Sequence, residues 1–167
     1  MKLFENLFSS LNKESVKYLL ADGIAVNLYG IERATADIDI VLKLAQKNLL
    51  KFVKVAKKLG LKPKLPLALD DFIDAEKRKG WIADKGMVVY SLYDAKNPFF
   101  LLDIFVEEPF NFDEVYEKRK KIEFENTIIP LVPINVLIAM KEKSDRAQDK
   151  ADVFYLKKIV EDWKHEE

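Results

Sequence analysis

The most informative segment of the chain is residues 20–42, which read LADGIAVNLYGIERATADIDIVL. The short apolar run over 16–21 predicts a buried strand that ends at an Asp-Gly turn. The small and apolar residues 23–29 predict a short helix that a glycine closes. Residues 36–42 alternate in polarity, which predicts a second strand. The segment therefore predicts a strand, a glycine-containing turn, a helix and another strand.

Two acidic residues lie on the second of these strands. Asp37 and Asp39 are two positions apart, so both carboxylates project from one face, which Thr35 shares. Aspartate is disfavoured in strands, and burial of two unpaired carboxylates is costly or forces protonation. A divalent cation compensates such charge most simply, because Mg²⁺ prefers hard oxygen ligands and is held by carboxylates together with substrate phosphates.

A third carboxylate interrupts another apolar strand. Residues 99–106 read FFLLDIFV, and Asp103 is their one charged residue. If this strand lies beside the first, the three aspartates form a cluster suited to two metal ions roughly 3.5–4 Å apart. The alternatives are a solvated edge or a turn cap for Asp37 and Asp39, and an ion pair with Lys or Arg for Asp103.

The rest of the chain predicts an α+β fold, in which a mixed β-sheet is flanked by helices and followed by a C-terminal helical portion. The chain is predicted to open with an amphipathic helix at its N-terminus. Four further helices are predicted, over 45–59, from Asp70 or Asp71 to Lys79 with Gly80 as its stop, over 133–143 and over 147–163. The predicted hairpins pair 87–93 with 99–106 and 121–124 with 127–131. Residues 61–69 contain two prolines and are predicted as a loop. We expect a core over 1–110, and a small hairpin with C-terminal helices over 111–167 that packs on the core or continues it as one domain.

The composition excludes several kinds of site. The 167 residues contain no cysteine, which removes disulfides, zinc thiolates and cysteine nucleophiles and suits the reducing cytoplasm. The single histidine, His165, lies in a charged tail, which argues against a Ser-His-Asp triad or a histidine metal site. The longest apolar stretch, 128–140, is too short and too broken to span a membrane, and the N-terminus does not resemble a signal peptide.

A basic face is the main charge feature of the chain, because lysine plus arginine and aspartate plus glutamate both number 28. Residues 40–69 hold eight lysines and no acid, and Lys47, Lys51, Lys54 and Lys58 recur at helical spacing. A solvated helix face is the favoured interpretation. The alternative is an RNA-binding surface, against which the absence of interleaved aromatic residues argues.

These residues together resemble the nucleotidyltransferase superfamily, which includes DNA polymerase beta and the aminoglycoside nucleotidyltransferases. The resemblance is closest to a prokaryotic branch of small nucleotidyltransferases. That branch reads Gly-Gly-x-Ala-x-Asn, a further Gly, Arg-x-Thr-x-Asp-x-Asp, a later strand with a single Asp, and a C-terminal Lys, Arg and Asp-x-x-Asp. The matching residues, within about 16–160, are Gly23, Ala25, Asn27, Gly30, Arg33, Thr35, Asp37, Asp39, Asp103, Lys141, Arg146, Asp149 and Asp152. Some members are toxins of abortive-infection or toxin–antitoxin systems that transfer nucleotides to tRNA.

The resemblance implies an enzyme that transfers a nucleoside monophosphate from a nucleoside triphosphate to a hydroxyl acceptor, tRNA or protein, and releases pyrophosphate. Asp37 and Asp39 would bind two Mg²⁺ ions that carry the nucleotide, and Asp103 would bind the second ion and act as general base. The turn at Gly23 would hold the β- and γ-phosphates. The further nucleotide contacts implied are Arg33, Thr35 and Lys141. A toxin-like role would imply an antitoxin partner, and no organic cofactor is expected.

One residue departs from the pattern of this branch. Asp22 stands where the first glycine usually lies, and a carboxylate there repels a triphosphate unless it turns away or binds metal. The alternative function is therefore a catalytically degenerate protein that binds a nucleotide or a protein. Supporting roles are implied for Asn27, Arg146, Asp149 and Asp152, although a structural pairing of the last two with Arg146 is slightly favoured. Arg33 on the surface and Lys141 at a helix end are the ordinary alternatives for the two basic residues.

Overall fold

The computed structural model describes residues 2–166. Its α-helices are α1 (Lys2–Lys13), α2 (Asp22–Leu28), α3 (Gln46–Lys58), α4 (Ala75–Lys85), α5 (Phe112–Glu117), α6 (Ile134–Glu142) and α7 (Ala147–Glu166). Its strands are β1 (Tyr18–Ala21), β2 (Asp37–Leu42), β3 (Leu61–Pro63), β4 (Val89–Asp94), β5 (Asn97–Phe105), β6 (Lys120–Phe124) and β7 (Thr127–Leu131). A 3₁₀ helix covers Leu69–Ile73. Within residues 2–166, every helix is too short or too polar to cross a membrane.

The seven strands form one mixed sheet in the order β3-β4-β5-β2-β1-β7-β6. β2 runs parallel to β5 and β1 runs parallel to β7, and the other neighbouring pairs are antiparallel. This arrangement confirms the predicted α+β class and its mixed sheet flanked by helices. The central position of β2 and β5 agrees with the buried apolar residues that both strands contribute to the core.

The two central strands divide their side chains between the core and an open face. Ile38 and Ile40 of β2 are buried, as are Leu102 and Ile104 of β5. The residues between them on the two strands face the other way, because successive side chains of a strand point to opposite faces. The open face is therefore where the aspartates of both strands lie.

The N-terminal and middle helices cover the apolar parts of the sheet. α1 contacts β7, and its buried residues recur at helical spacing, as Leu7, Phe8 and Leu11 show. The buried face of α3 is formed by Asn48, Leu49, Phe52, Val53, Val55 and Ala56. The amphipathic patterns in the sequence thus place both helices as predicted, and they leave the lysines of α3 in solvent.

Two predictions for residues 61–80 were wrong. The predicted loop contains β3, which pairs with β4, and Pro63 is tolerated because β3 is the edge strand. The predicted helix from Asp70 or Asp71 to Lys79 is instead a 3₁₀ helix followed by α4. Asp74 caps α4 by accepting hydrogen bonds from the backbone N–H groups of the second and third residues after it.

The true stop of α4 is Gly86 rather than Gly80. Gly86 has a φ of 61°, the left-handed conformation that commonly ends a helix. Gly80 lies inside the helix, where glycine is tolerated at a modest cost.

The C-terminal region joins the same sheet as the core. The predicted hairpin β6–β7 is present, and Leu131 of β7 pairs with Leu20 of β1. A short helix that the sequence analysis missed, α5, precedes this hairpin and is capped by the Asn111 side chain. A sheet that is continuous across residue 110 does not test the predicted division into two regions, which stays a prediction.

Candidate active site

The parallel pairing of β2 and β5 brings the predicted acidic residues together. Asp39 lies directly opposite Asp103 in the register, and Asp37 lies opposite Leu101 two positions earlier. All three carboxylates project from the open face of the sheet. We call Asp37, Asp39 and Asp103 the sheet aspartates. We expected the three aspartates to lie together if the two strands were neighbours, and the strands are neighbours.

The sheet aspartates repel one another electrostatically. Burial raises the pKa of Asp39 to about 8, and the carboxylates of Asp22, Asp103 and Asp37 add to this effect, while Lys141 opposes it. Burial also raises the pKa of Asp103. Among residues 2–166, none of the sheet aspartates forms an ion pair within 4.0 Å. The cluster therefore lacks an ion-paired counter-charge, and without a cation its burial favours the protonated form of Asp39.

Ser91 is a residue of this cluster that the sequence analysis missed. It lies on β4 directly opposite Asp103, and its hydroxyl donates a 2.5 Å hydrogen bond to Asp103 Oδ1. This bond favours the charged carboxylate and opposes the rise in the pKa of Asp103. The signal for Ser91 was its place in the predicted hairpin, where the register puts a polar side chain opposite the aspartate.

A second set of aspartates surrounds Lys141, which lies on α6. Its ammonium nitrogen is 2.7 Å from Asp22 Oδ1, 3.0 Å from Asp149 Oδ1 and 2.9 Å from Asp152 Oδ2. Burial alone would lower the pKa of Lys141, but the hydrogen bonds to the three carboxylates outweigh it and raise the pKa. We call Asp22, Asp149 and Asp152 the helix aspartates, since all three lie on α2 or α7.

Two arginines complete this second set. Arg33 pairs with Asp152, and Arg146 Nε lies 2.8 Å from Asp149 Oδ2. Burial alone would raise the pKa of Asp149, but hydrogen bonds from Ser144, Arg146 and Lys141 outweigh it and lower the pKa. The helix aspartates are thus matched by an equal number of basic side chains.

This pairing bears on the predicted nucleotide contacts. The arginine expected at a phosphate, Arg33, has its guanidinium engaged by Asp152 in this structure. Lys141 lies in the last turn of α6, as the helix-end alternative supposed, but it is buried. Asp149 pairs with Arg146 as the structural alternative supposed, whereas Asp152 pairs with Arg33 and Lys141.

The turn between β1 and α2 is tightly packed. Asp22 has a φ of 56°, a conformation that glycine adopts freely and that Asp and Asn tolerate better than most residues. A Cβ atom on Gly23 would lie 2.4 Å from Thr35 Oγ1, so only glycine fits beside that hydroxyl. Asn27 supports the following loop, because its side-chain amide donates to the backbone carbonyls of Ile31 and Arg33. Asp22 thus adopts a backbone conformation that a glycine at this position would also adopt.

A cavity of about 360 Å³ lies between the open face of the sheet and α6 and α7. Both sets of aspartates contribute to its walls, together with basic and apolar side chains. Its lining residues are Asp22, Asp39, Val88, Val89, Asp103, Phe105, Leu137, Met140, Lys141, Ser144, Arg146 and Asp149. A second depression, of about 600 Å³, adjoins Asp37 and is lined by Lys64, Tyr93, Phe99 and their neighbours. The sheet aspartates therefore lie between two concave surfaces, each large enough for a small organic molecule.

The donor chemistry of the sheet aspartates fits Mg²⁺. Carboxylate oxygens are the hard ligands that this ion prefers, and uncompensated negative charge on a partly buried face is what a dication relieves. Within residues 2–166, no group of three or more acidic or histidine side chains is already spaced as a ligand set. The fit therefore lies in donor type and charge, and substrate phosphates would supply the remaining ligands, as is usual for Mg²⁺.

Comparison with known proteins gives no match by sequence and clear matches by fold. No family model and no curated protein matches the chain. The lincosamide antibiotic adenylyltransferase LnuA, solved with lincomycin bound, superposes with a TM-score of 0.62 at 17% identity, covering 95% of this chain and 96% of its own. ANT(2'')-Ia in complex with adenylyl-2''-tobramycin gives a TM-score of 0.56 at 11% identity, covering 93% and 85%.

A third similar structure comes from Thermotoga maritima and is described as a candidate nucleotidyltransferase. It gives a TM-score of 0.59 at 13% identity and covers 99% of this chain and 92% of its own. At such identities the likeness establishes the fold. The chain therefore has the fold of these solved structures, as the sequence predicted.

Proposed function

We propose, from a chain that has the nucleotidyltransferase superfamily fold, that this protein is a Mg²⁺-dependent nucleotidyltransferase. It would transfer a nucleoside monophosphate from a nucleoside triphosphate to a hydroxyl acceptor and release pyrophosphate. The observation that carries the proposal is the pairing of Asp39 opposite Asp103 at the wall of a 360 Å³ cavity. These two carboxylates come from strands that are more than 50 residues apart in sequence, and burying them side by side is costly without a cationic ligand.

Each sheet aspartate has a role in the proposed reaction. Asp37, Asp39 and Asp103 would hold the metal ions. When bound, Mg²⁺ neutralises the triphosphate and the charge that develops on the leaving pyrophosphate. Asp103 accepts the proton of the acceptor hydroxyl, whose oxygen bonds to the α-phosphorus as the bond from that phosphorus to the β-phosphate bridging oxygen breaks.

The remaining site residues bind or shape the donor site. Gly23 and Thr35 fix the turn between β1 and α2 beside the phosphates. Lys141 and Arg146 line the cavity and supply positive charge to the phosphate groups. Four further residues support the site without contacting the donor, because they hold the loop after α2 and the Lys141 side chain in place: Asn27, Arg33, Asp149 and Asp152.

We propose only the chemical class of the acceptor, which is a compound with a free hydroxyl group. The named structural neighbours are antibiotic adenylyltransferases, whereas the sequence resemblance points to tRNA or protein and to a toxin with an antitoxin partner. The exposed lysines of α3 offer a test of the RNA option. Replacing Lys51 and Lys54 by Glu should leave tRNA affinity at low salt unchanged if this face is only solvated, and should weaken it if the face binds RNA.

The test is incubation with each labelled nucleoside triphosphate, Mg²⁺, and total RNA plus protein from a lysate. A labelled species that is formed by the wild type and lost with Asp37→Asn would identify donor and acceptor class together. Pyrophosphate release is measured in parallel. Absence of label and of pyrophosphate with all four triphosphates, and with lincosamide and aminoglycoside acceptors, would reject the proposal.

A second candidate function is a degenerate member that binds a nucleotide or a protein without turnover. The ion pair between Asp22 and Lys141 favours this function, because the Asp22 carboxylate binds the ammonium group that would otherwise contact phosphate. Such a protein would bind nucleotide and yet release no pyrophosphate in the labelled assay. The two functions are thus separated by turnover.

A further inference from the structure

The ammonium group of Lys141 is enclosed by carboxylates: it donates hydrogen bonds to Asp22 and Asp149 and forms an ion pair with Asp152. A protonated lysine has three N–H groups, and Lys141 is within 3.0 Å of three carboxylates, one from each helix aspartate. Its side chain is 4% exposed, and the cavity is the concave surface that it lines. An anion in the cavity can therefore contact this ammonium directly only if one of the three carboxylates moves away.

The three partners of Lys141 are not equally easy to displace. The side chains of Asp149 and Asp152 are 4% and 1% exposed, and each is also held by an arginine. The Asp22 side chain is 31% exposed, lines the cavity, and has Lys141 as its basic partner. Asp22 is thus the carboxylate that leaves Lys141 at the lowest cost.

The charge balance of this set depends on Asp22. Lys141, Arg33 and Arg146 are matched by the three helix aspartates. Without the Asp22 carboxylate the set carries one uncompensated positive charge, and that charge sits on an ammonium at the cavity wall. The carboxylate also lies close enough to Asp39 to be its foremost acidic neighbour.

We infer that Asp22 sets a low affinity for polyphosphate by occupying Lys141, and that a bound triphosphate displaces the Asp22 carboxylate from that ammonium. The inference rests on the proposed function, which puts the triphosphate in this cavity. Asp22 is in this account an affinity-determining residue. A glycine in its place would leave Lys141 free for phosphate.

The backbone at Asp22 permits a clean substitution. Its φ of 56° is tolerated by Asn and adopted freely by Gly, so Asp22→Asn and Asp22→Gly should both fold. Removing a like charge next to a polyanion and freeing an ammonium both act in the same direction. We expect the Kd of either variant for inorganic tripolyphosphate to be about tenfold lower than that of the wild type.

The experiment is calorimetric titration of the purified full chain at low salt. Tripolyphosphate is titrated in EDTA, and ATP, GTP, CTP and UTP are titrated with Mg²⁺. Asp22→Glu keeps the carboxylate and is expected to bind as weakly as the wild type. Asp84→Asn is the matched control for net charge, because Asp84 is exposed on α4 and does not line the cavity; it should change nothing.

The outcomes separate this inference from the proposed function. Tighter tripolyphosphate binding by the Asn and Gly variants, and by neither control, supports the role of Asp22. Equal or weaker binding by those variants, or an equal gain in Asp84→Asn, overturns it. The proposed function is judged by a different readout in the same series, since Asp39→Asn must weaken binding of the Mg²⁺ nucleotide. If that loss occurs while Asp22→Asn gains nothing, only the inference about Asp22 fails.

Discussion

The sheet aspartates and the helix aspartates are the same residue type in neighbouring places, yet their electrostatics are opposite. Among the sheet aspartates, burial and like charges raise the pKa of Asp39 to about 8. Among the helix aspartates, hydrogen bonds from Ser144, Arg146 and Lys141 outweigh burial and lower the pKa of Asp149. The chain supplies counter-charges to one set and leaves the other without them. The difference separates carboxylates that are ion-paired within the fold from carboxylates that have no ion-pair partner among residues 2–166.

The largest expected effect concerns the activity of the sheet aspartates. Asp39→Asn should lower the rate of nucleotidyl transfer by about 10³-fold or more, because several kcal/mol of charge stabilisation by the metal are lost. The fold should persist, since the substitution removes a charge that has no ion-pair partner. Pyrophosphate release under saturating Mg²⁺ measures the rate. Transfer within tenfold of the wild-type rate would mean that the sheet aspartates are not the metal site.

The next effect concerns the stability given by the helix aspartates. Asp152→Asn should lower the free energy of unfolding by about 3–5 kcal/mol, because it leaves buried Lys141 and Arg33 short of a counter-charge. Urea denaturation measures this change. Asp113→Asn is the matched control, since its pair with Lys43 is exposed and should contribute less than about 1 kcal/mol. Equal losses in the two variants would remove the distinction between the sets.

A smaller effect is the pH dependence that Asp39 gives to stability. Its folded-state pKa lies above the value of 3.8 expected when unfolded, so the folded protein binds more protons between about pH 4 and 8. The wild type should therefore lose stability as the pH rises through this window and stay level above it. Asp39→Asn lacks this loss and should be more stable than the wild type at pH 9, by several kcal/mol.

The same series tests whether metal relieves the repulsion. Urea unfolding at pH 5, 7 and 9 is repeated with about 10 mM Mg²⁺, the concentration that a weak site needs. The difference in the free energy of unfolding between the wild type and Asp39→Asn should become smaller. An Asp39→Asn variant that is less stable than the wild type at pH 9 without metal would contradict the account.

The smallest effect separates Ser91 from the aspartate that it contacts. Ser91→Ala removes a donor to the charged form of Asp103, so the pKa of Asp103 should rise further. The acidic limb of the pH–rate profile should then move to higher pH, with a loss of about tenfold in rate below the shifted midpoint. Ser91→Thr keeps the hydroxyl and should retain the wild-type profile; an unmoved limb in Ser91→Ala would exclude Asp103 as the base.

Much of the fold followed from local patterns in the sequence. Periodic apolar residues predicted α1 and α3, and alternation predicted β2. The errors arose where tertiary context overrode composition. The two prolines of residues 61–69 led to the prediction of a loop there, although β3 pairs with β4, which lies about 30 residues away. Asp74 rather than Asp70 or Asp71 capped α4, and nothing in the local sequence ranked the three.

The sequence predicted which residues lie in the candidate site, but it did not predict which of them form ion pairs. Asp37, Asp39 and Asp103 stood out because charge is unusual in apolar strands, and the strand order then aligned them. The burial of Lys141 and its pairing with Asp22 join residues 119 positions apart, as does the pair of Arg33 with Asp152. Such contacts depend on how α6 and α7 dock against the sheet, which no local pattern encodes.

The most direct test of the metal assignment is a crystal structure with Mn²⁺ and a non-hydrolysable nucleoside triphosphate, with Mn²⁺ located by its anomalous scattering. Our account predicts manganese bonded to carboxylate oxygens of Asp39 and at least one other sheet aspartate, with the triphosphate as a further ligand. Manganese bound at the helix aspartates instead, or nucleotide bound with no metal at Asp39, would contradict it.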